Sequence, residues 1–275
     1  MNEPSFTLPA YDLNWAFFLD IDGTLVDQAP TPDTVHVDGA LHPMLEELRA
    51  ATGGAVALVS GRALMDMDAL FPLKRLAAAG QHGIERRDAQ GVVHVRAFGE
   101  APLRQAARQL LRFVARRQGL MLEDKGYTLA LHYRMAPQYE AEVRRAAEAT
   151  LSTLGTGFEL QRGKMVYEIK PGGTDKGTAV EAFMSEAPFS GRIPVFLGDD
   201  RTDEFGFEVV NRLGGYTIKV GEGESVARWR LPNPATARAW LAGWLETVPA
   251  AGGVMTDAAV AEVLDSPGQG GSGAP

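Results

Sequence analysis

The sequence predicts an α/β protein, with a doubly wound, mainly parallel sheet and an inserted α+β unit. Short, continuous apolar runs at 16–19 (AFFL), 55–59 (AVALV) and 193–197 (IPVFL) suit strands that are covered on both faces. Helical patterns lie between these runs, and alternating strands and helices favour a parallel sheet. The middle of the chain instead alternates helices with hairpins, which indicates a separate compact unit.

The helices of the α/β part are predicted from their apolar periodicity. They lie at 41–51, 64–71, 175–184 and 204–213. Together with the strands they predict a discontinuous core formed by residues 1–98 and 170–264. Residues 265–275, rich in Gly, Ser and Pro, predict a flexible tail.

The inserted unit is predicted at about 99–169. Its pattern is helix, hairpin, helix, hairpin, and its segments are 101–118, 120–123 with 128–134, 138–154, and 158–161 with 165–170. Side chains alternate along a strand, so each hairpin has an apolar face for the helices and a more polar face that stays open. On the last strand the open face is predicted to carry Glu168 and Lys170.

Composition and charge narrow the possible functions. The 275-residue chain has a formal net charge of −8 and no cysteine, which excludes a disulfide framework. The acidic balance argues against a nucleic-acid partner, but a bound cation can still reverse the local field for an anionic substrate. There is no apolar stretch long enough to span a bilayer, and residues 1–14 do not resemble a signal peptide. We therefore expect a cytoplasmic protein with no membrane partner.

Two carboxylates, Asp20 and Asp22, follow the first predicted strand in the sequence DIDGT. Because a strand has a period of two, both side chains point the same way if the strand continues to that point. The carboxyl ends of parallel strands are where open α/β sheets bind ligands. One carboxylate can serve as a nucleophile and the other as a general acid/base. The structural alternative is a turn rich in Asp and Gly, which both favour turns.

A second acidic group follows the strand predicted at 193–197. Its members, within six residues, are Asp199, Asp200, Asp203 and Glu204. This much negative charge at a strand end is costly without a hard cation, and Mg²⁺ prefers carboxylate oxygens. The alternative is an acidic helix start, where carboxylates suit the helix dipole. That alternative accounts for the two later acids better than for the two earlier ones.

Two weaker signals are consistent with a phosphate site. Ser60, Gly61 and Arg62 follow the strand at 55–59, and their hydroxyl, bare backbone and guanidinium suit phosphate oxygens. Ser-Gly is also a common turn pair. Lys176 lies in the first turn of a helix, where its charge opposes the helix dipole unless an anion lies opposite. Taken alone, Lys176 is more simply interpreted as a solvated lysine, but the combination of signals provides what phosphoryl transfer needs.

These signals resemble, in order, the four motifs of the haloacid dehalogenase superfamily of phosphohydrolases. The motifs are DIDGT at 20–24, Ser60, Lys176, and GDD at 198–200 with Asp203. Longer runs resemble the bacterial trehalose-6-phosphate phosphatase family. These runs are GQHGIERRD (80–88), LEDKGYTLALHYR (122–134), GKMVYEIKP (163–171) and FLGDDRTDEFGFEVVNRLGG (196–215). The resemblance covers nearly the whole chain and leaves out the tail.

The resemblance implies a reaction and a metal. Asp20 would be the nucleophile that forms an aspartyl phosphate, and Asp22 would be the general acid/base. Mg²⁺ would be held by Asp20, the backbone carbonyl of Asp22, and Asp199. Asp200 and Asp203 would support the metal shell or bind its waters.

The resemblance also implies how the substrate is held. Ser60 and Lys176 would bind the phosphoryl group, and Lys176 would also counter the charge of Asp20. The inserted unit would be a mobile cap that closes over the site. The implied activity is hydrolysis of trehalose 6-phosphate to trehalose and phosphate.

The open face of the predicted hairpins carries groups that suit sugar hydroxyls. Glu168 can accept hydrogen bonds, and Lys125, Lys164 and Arg134 can donate them. The alternative is a solvated outer sheet face. The resemblance favours substrate recognition by Glu168, Lys125 and Lys164 in particular.

Two residues of the core are further candidates for contact with the substrate, Arg62 and, in the segment 80–85, His82. His82 can equally be a structural histidine. Alternative functions stay open at this stage: a capped phosphatase for another sugar phosphate such as sucrose phosphate or mannosyl phosphoglycerate, a sugar phosphomutase, or a sugar-phosphate sensor.

Overall fold

The computed structural model describes residues 8–29, 34–73, 75–96 and 100–248 of the chain. The predicted tail at 265–275 lies outside the described residues, as do both ends of the predicted core, at 1–7 and 249–264. Within the described ranges, no helix is long and apolar enough to cross a membrane. The cytoplasmic location stays a prediction.

The described residues form two sheets and the helices that cover them. The strands are β1 (Trp15–Leu19), β2 (Val56–Val59), β3 (Ala77–Gly80), β4 (Glu85–Arg87), β5 (Val93–Val95), β6 (Met121–Asp124), β7 (Leu129–His132), β8 (Phe158–Gly163), β9 (Val166–Pro171), β10 (Ile193–Gly198), β11 (Tyr216–Val220) and β12 (Trp229–Leu231). The helices are α1 (Leu41–Ala51), α2 (Leu64–Leu70), α3 (Glu100–Val114), α4 (Glu140–Leu154), α5 (Lys176–Met184), α6 (Asp203–Arg212) and α7 (Pro234–Thr247).

The large sheet has the strand order β12-β11-β10-β1-β2-β3-β4-β5. The strands from β12 to β3 pair in parallel, and β4 and β5 complete the sheet as antiparallel strands. The prediction of a mainly parallel α/β sheet is therefore confirmed. Because β10, β1 and β2 are parallel neighbours, their carboxyl ends meet at one edge of the sheet.

Both faces of the large sheet are covered, as the continuous apolar runs predicted. Trp15, Phe17 and Leu19 of β1 pack into a core with α1, α2 and α7. Ala16 and Phe18, which alternate with them, pack into a second core with α5 and α6. All five side chains are fully buried. The alternation follows from the two-residue period of a strand, and it continues into the acidic residues after β1.

The small sheet is antiparallel, with the order β6-β7-β9-β8. Helices α3 and α4 cover one of its faces, where they bury Leu129, Leu131, Tyr167 and Ile169. The predicted apolar face is therefore the one that the helices cover. The division of the chain at 98/99 and 169/170 stays a prediction.

Two details of this unit differ from the prediction. The helix predicted at 101–118 ends at Val114, where Arg117 N–H bonds back three residues and Gly119 follows at φ +88. Lys170, predicted to lie on the open face, is buried. Its ammonium contacts the carbonyl of Thr174 and lies 2.9 Å from Glu159, because the chain folds back over it after β9.

Candidate active site

A cavity lies between the carboxyl edge of the large sheet and the open face of the small sheet. Every predicted site residue except Asp203 lines it. From the large-sheet part these are Asp20, Asp22, Ser60, Gly61, Arg62, His82, Lys176, Asp199 and Asp200, and from the small-sheet unit they are Lys125, Arg134, Lys164 and Glu168. The fold thus brings nearly all of the predicted site residues, from segments far apart in the sequence, to one cavity.

Lys176 lies at the floor of this cavity between two carboxylates. Its ammonium donates to Asp20 Oδ1 at 2.7 Å and to Asp203 Oδ1 at 2.6 Å. Lys176 is the first residue of α5, which begins with a capping box between Asp175 and Thr178. Only 2% of Lys176 is exposed, so it is not the solvated lysine of the simpler interpretation.

Asp20 extends the first strand into the cavity. Its backbone N–H still bonds to the carbonyl of Leu197 on β10, which continues the parallel ladder by one residue. Its second carboxylate oxygen accepts from Thr24 Oγ1 at 3.0 Å. The carboxylate is therefore held from both sides, by Lys176 and by Thr24.

Asp203 is fully buried and organises the loop that follows β10. Its Oδ2 accepts the backbone N–H groups of Asp199 and Asp200, both at 2.9 Å. Asp200 Oδ1 accepts from the backbone and the hydroxyl of Thr202 at 2.7 and 2.6 Å. Asp199 is left with its carboxylate turned toward the cavity, and its backbone carbonyl accepts from Lys219.

We call Asp20, Asp199, Asp200 and Asp203 the acidic cluster. Burial, together with the neighbouring carboxylates, raises the pKa of Asp20 to about 7, although Lys176 opposes the rise. Burial and the charges of Asp200 and Asp203 also raise the pKa of Asp199 to about 7. Burial alone would raise the pKa of Asp200, but Lys176 and the Thr202 hydrogen bonds lower it to about 2. The cluster therefore holds more negative charge than its surroundings offset.

Three carboxylates of the cluster are spaced so that they can hold a cation. One oxygen from each of Asp20, Asp199 and Asp203 lies within 4.8 Å of the other two. Both oxygens of Asp203 already accept hydrogen bonds, from Lys176 and from the backbone. Asp20 and Asp199 line the cavity, whereas Asp203 does not, so Asp20 and Asp199 are better placed to bind a metal there, and an all-oxygen set suits a hard cation.

Asp22 is paired with Arg62 across the cavity. The guanidinium Nε and Nη2 atoms lie 2.6 and 2.7 Å from the two carboxylate oxygens of Asp22. Such a bidentate pair fixes the orientation of both groups. Ser60 lies beside it, 2% exposed, and its Oγ accepts the backbone N–H of Arg62 at 3.2 Å.

Glu168 is the centre of the polar contacts on the small sheet. Its Oε1 accepts from Thr128 Oγ1 at 2.6 Å and from Lys125 Nζ at 3.2 Å, and its Oε2 lies 3.0 Å from His82 Nε2. We call these four residues the Glu168 network. Although burial opposes the shift, Lys125 and His82 hold the pKa of Glu168 well below its usual value. Burial lowers the pKa of His82, although the neighbouring Glu168 opposes the shift.

Contacts from the small sheet also reach the large-sheet edge. Lys125 Nζ donates to the carbonyl of Gly61 at 2.8 Å. Lys164 Nζ donates to Gln28 Oε1 at 2.8 Å, and Gln28 Nε2 donates to Asp199 Oδ2 at 2.7 Å. Arg134 lies at the rim, where it donates to the carbonyl of Lys164 at 3.3 Å.

The cavity is also lined by residues that the sequence patterns did not identify as site residues, among them Glu123, Gln161 and Gln28. Glu123 lies 2.8 Å from His132 and 4.0 Å from Lys125. It lies two positions before Lys125, so the strand period could have placed it on the same face. Gln161 faces Glu168 across the β8–β9 pair, which the hairpin register could have shown. Gln28 follows the DIDGT motif, and no local signal marks it.

The fold of the chain is one that phosphatases of known structure share. A parallel α/β sheet presents buried carboxylates and a lysine at its carboxyl edge, beneath a second unit. A phosphatase of the haloalkanoate (HAD) enzyme superfamily from Bacteroides thetaiotaomicron has this fold at 16% identity, covering 87% of this chain and 99% of that chain, with a TM-score of 0.55. The crystal structure of a trehalose-6-phosphate phosphatase related protein is 26% identical, covers 84% of this chain and 96% of that chain, and has a TM-score of 0.72.

The amino-acid sequence identifies the family more specifically than the fold does. The family model described as Trehalose-phosphatase matches residues 18–234. The chain is 46% identical over 241 residues to the trehalose-6-phosphate phosphatase of Escherichia coli, which covers 88% of this chain and 90% of that protein. The chain belongs to the trehalose-phosphatase family. The predicted resemblance to this family is confirmed.

Proposed function

We propose that this protein hydrolyses trehalose 6-phosphate to trehalose and inorganic phosphate in a reaction that requires Mg²⁺. The substrate is supported by the 46% identity to the Escherichia coli enzyme, which extends through the small-sheet unit. The reaction class rests on one observation above the others, the buried Lys176 that joins Asp20 to Asp203. A buried cation beside a carboxylate at a sheet edge suits attack on a phosphate monoester.

The proposed chemistry needs two carboxylates in turn. A carboxylate oxygen of Asp20 forms a bond to phosphorus, and the bond from phosphorus to the sugar oxygen breaks. Asp22 gives its proton to that oxygen as trehalose leaves. A water then attacks phosphorus and loses its proton to Asp22, and the bond to Asp20 breaks to release phosphate.

The pairing of Asp22 with Arg62 suggests how Asp22 becomes available for proton transfer. While Arg62 holds both oxygens of Asp22, the carboxylate has no free oxygen pointed at a leaving group. We propose that the substrate phosphate draws the guanidinium away, since Arg pairs with phosphate in the same bidentate manner. Asp22 is then released to take and deliver a proton. Ser60, Gly61 and Lys176 would hold the remaining phosphate oxygens.

The donor set of the acidic cluster fits Mg²⁺. Asp20 and Asp199 would hold the ion, with the backbone carbonyl of Asp22, while Asp203 and Asp200 fix the loop that carries Asp199. When bound, the ion would offset the negative charge that phosphate and carboxylates bring together. Lys176, which contacts Asp20 and Asp203, offsets part of the same charge.

The small-sheet unit, predicted at 99–169, is proposed as the cap that recognises the disaccharide. Glu168 keeps lone pairs on Oε2 beyond its contact with His82, so it can accept a sugar hydroxyl. Lys125 and Lys164 carry further donors toward the cavity, and Arg134 is placed at its rim. His82 is proposed to act through Glu168, and it can contact the sugar from the core side.

The test is phosphate release from trehalose 6-phosphate, glucose 6-phosphate and sucrose 6-phosphate, each with Mg²⁺ and with EDTA. We expect Mg²⁺-dependent release from trehalose 6-phosphate alone. Release from another sugar phosphate would keep the reaction and overturn the proposed role of the cap residues. Conversion without net phosphate release, dependent on a sugar bisphosphate, would indicate a mutase. Binding without turnover would indicate a sensor.

A further inference from the structure

The two units contact each other on both sides of the cavity. On one side, above the ends of β2 and β3, Lys125 contacts Gly61 and Glu168 contacts His82. On the other side, above the ends of β10 and β1, Gln28 joins the units. The first set of contacts belongs to the predicted site, whereas Gln28 has no role in the proposed chemistry.

The Gln28 amide is oriented by its two partners. Its nitrogen donates to Asp199 Oδ2 at 2.7 Å, and its oxygen accepts from Lys164 Nζ at 2.8 Å. An ionised carboxylate can only accept and an ammonium can only donate, so one orientation of the amide satisfies both. Both bonds involve a charged group, which makes them stronger than bonds between neutral groups.

The Asp199 carboxylate is confined on a second side by Gly23. A Cβ at Gly23 would lie 2.2 Å from Asp199 Oδ2, so the carboxylate rests against a bare Cα. Gly23 has φ +87, and its N–H bonds to the carbonyl of Val26 to close the turn that leads to Gln28. The same turn therefore sets the space open to Asp199 and places the side chain that holds it.

We propose that Gln28 is a positioning residue that couples the seating of the small-sheet unit to the orientation of Asp199. Lys164 reaches Gln28 from the β8–β9 turn, so the bond forms only while that unit lies over the sheet edge. Seating then completes a chain from Lys164 through Gln28 to a carboxylate of the acidic cluster. The inference rests on the proposed function for the roles of Lys164 and Asp199.

The test compares Gln28→Leu, Lys164→Met and the double variant, with Mg²⁺ binding to the whole protein measured by calorimetry. Gln28→Leu is expected to weaken Mg²⁺ binding about 3- to 10-fold, because it removes a charge-assisted hydrogen bond to Asp199. Lys164→Met is expected to weaken it too, although removing a nearby cation would by Coulomb's law alone tighten it. In the Gln28→Leu background, Lys164→Met should cause no further weakening.

Two outcomes would overturn the proposal. Equal weakening by Lys164→Met in both backgrounds would mean that the two residues act independently. Unchanged Mg²⁺ binding in Gln28→Leu, with only a raised KM for trehalose 6-phosphate, would make Gln28 a substrate contact. Gln105→Leu, the same change on the exposed face of α3, should behave as wild type. Mg²⁺ binding needs no turnover, so failure of the proposed function would show separately, as no Mg²⁺-dependent phosphate release from trehalose 6-phosphate by the wild-type protein.

Discussion

The acidic cluster and the Glu168 network both bury carboxylates, and they do so in opposite ways. In the acidic cluster, Lys176 contacts two of four carboxylates, and the pKa values of Asp20 and Asp199 are raised to about 7. In the Glu168 network, one carboxylate has a lysine, a hydroxyl and an imidazole, and its pKa is lowered.

The difference indicates different tasks. A group of carboxylates that is short of positive charge is prepared to receive a cation. A carboxylate whose partners are already in place is prepared to hold its geometry while a neutral ligand binds. We therefore expect changes in the acidic cluster to act on turnover and metal binding. Changes in the Glu168 network should act on substrate affinity.

The largest expected effect tests the first half of this comparison. Asp20→Asn removes the proposed nucleophile and should lower kcat by about 10⁴-fold or more. The fold should persist, because the change removes one charge from a crowded acidic group. Initial rates of phosphate release measure the effect, and an unchanged circular dichroism spectrum is the control. Appreciable turnover by this variant would contradict the aspartyl-phosphate mechanism.

Lys176→Met should destabilise the protein by about 3 kcal/mol or more, because it leaves buried carboxylates without their counter-charge. Mg²⁺ should recover part of this loss, since a bound cation replaces some of the missing charge. Urea unfolding with Mg²⁺ and with EDTA measures both effects. If Mg²⁺ stabilised wild type and variant equally, the cluster would not be short of positive charge in the way that we infer.

Glu168→Gln tests the second half of the comparison. It keeps the shape of the side chain and removes its charge, so KM for trehalose 6-phosphate should rise about 10- to 100-fold. Turnover of p-nitrophenyl phosphate, which lacks the sugar, should change much less. Glu148→Gln, which breaks an exposed pair with Arg144 at 2.8 Å, is the matched control and should have no effect. Equal losses with both substrates would place Glu168 in the chemistry instead.

The smallest expected effect is on stability against acid. Burial lowers the pKa of His82 below its usual value of about 6.5. Between these two pKa values the unfolded chain binds more protons than the folded one, so the unfolding free energy falls as pH falls. From pH 7.5 to 5.5, the unfolding free energy of the wild type should fall by more than that of His82→Gln. Urea unfolding at both pH values measures this, and equal losses would mean that His82 titrates freely.

Much of the site could be predicted because local pattern decides it. The apolar runs of β1 and β10 fix where each strand ends, and the acids follow directly. The period of two places Asp20 and Asp22 on the same side, and parallel pairing brings Asp199 to the same edge. The helix dipole argument singled out Lys176, which the fold buries against Asp20.

The prediction of the fold was less complete where the local sequence pattern is weak. Strand β3 has the sequence AAAG, which lacks the β-branched and aromatic residues typical of strands. Its place between β2 and β4 supplies the pairing that its side chains do not favour. The end of α3 was predicted four residues too late, because the helix gives way to a turn, in which Arg117 N–H bonds to the carbonyl of Val114, before it reaches Gly119.

The sequence by itself determined the fold class, the acidic cluster and the polar face of the small sheet, because each depends on strand ends and on the period of neighbouring residues. Only the tertiary structure decided that Arg62 holds Asp22, that His82 and Lys125 share Glu168, and that Gln28 joins Lys164 to Asp199. These partners are far apart along the chain, and a side-chain hydrogen bond forms only when the distance between its two atoms lies within a range of a few tenths of an ångström. No local pattern carries that information.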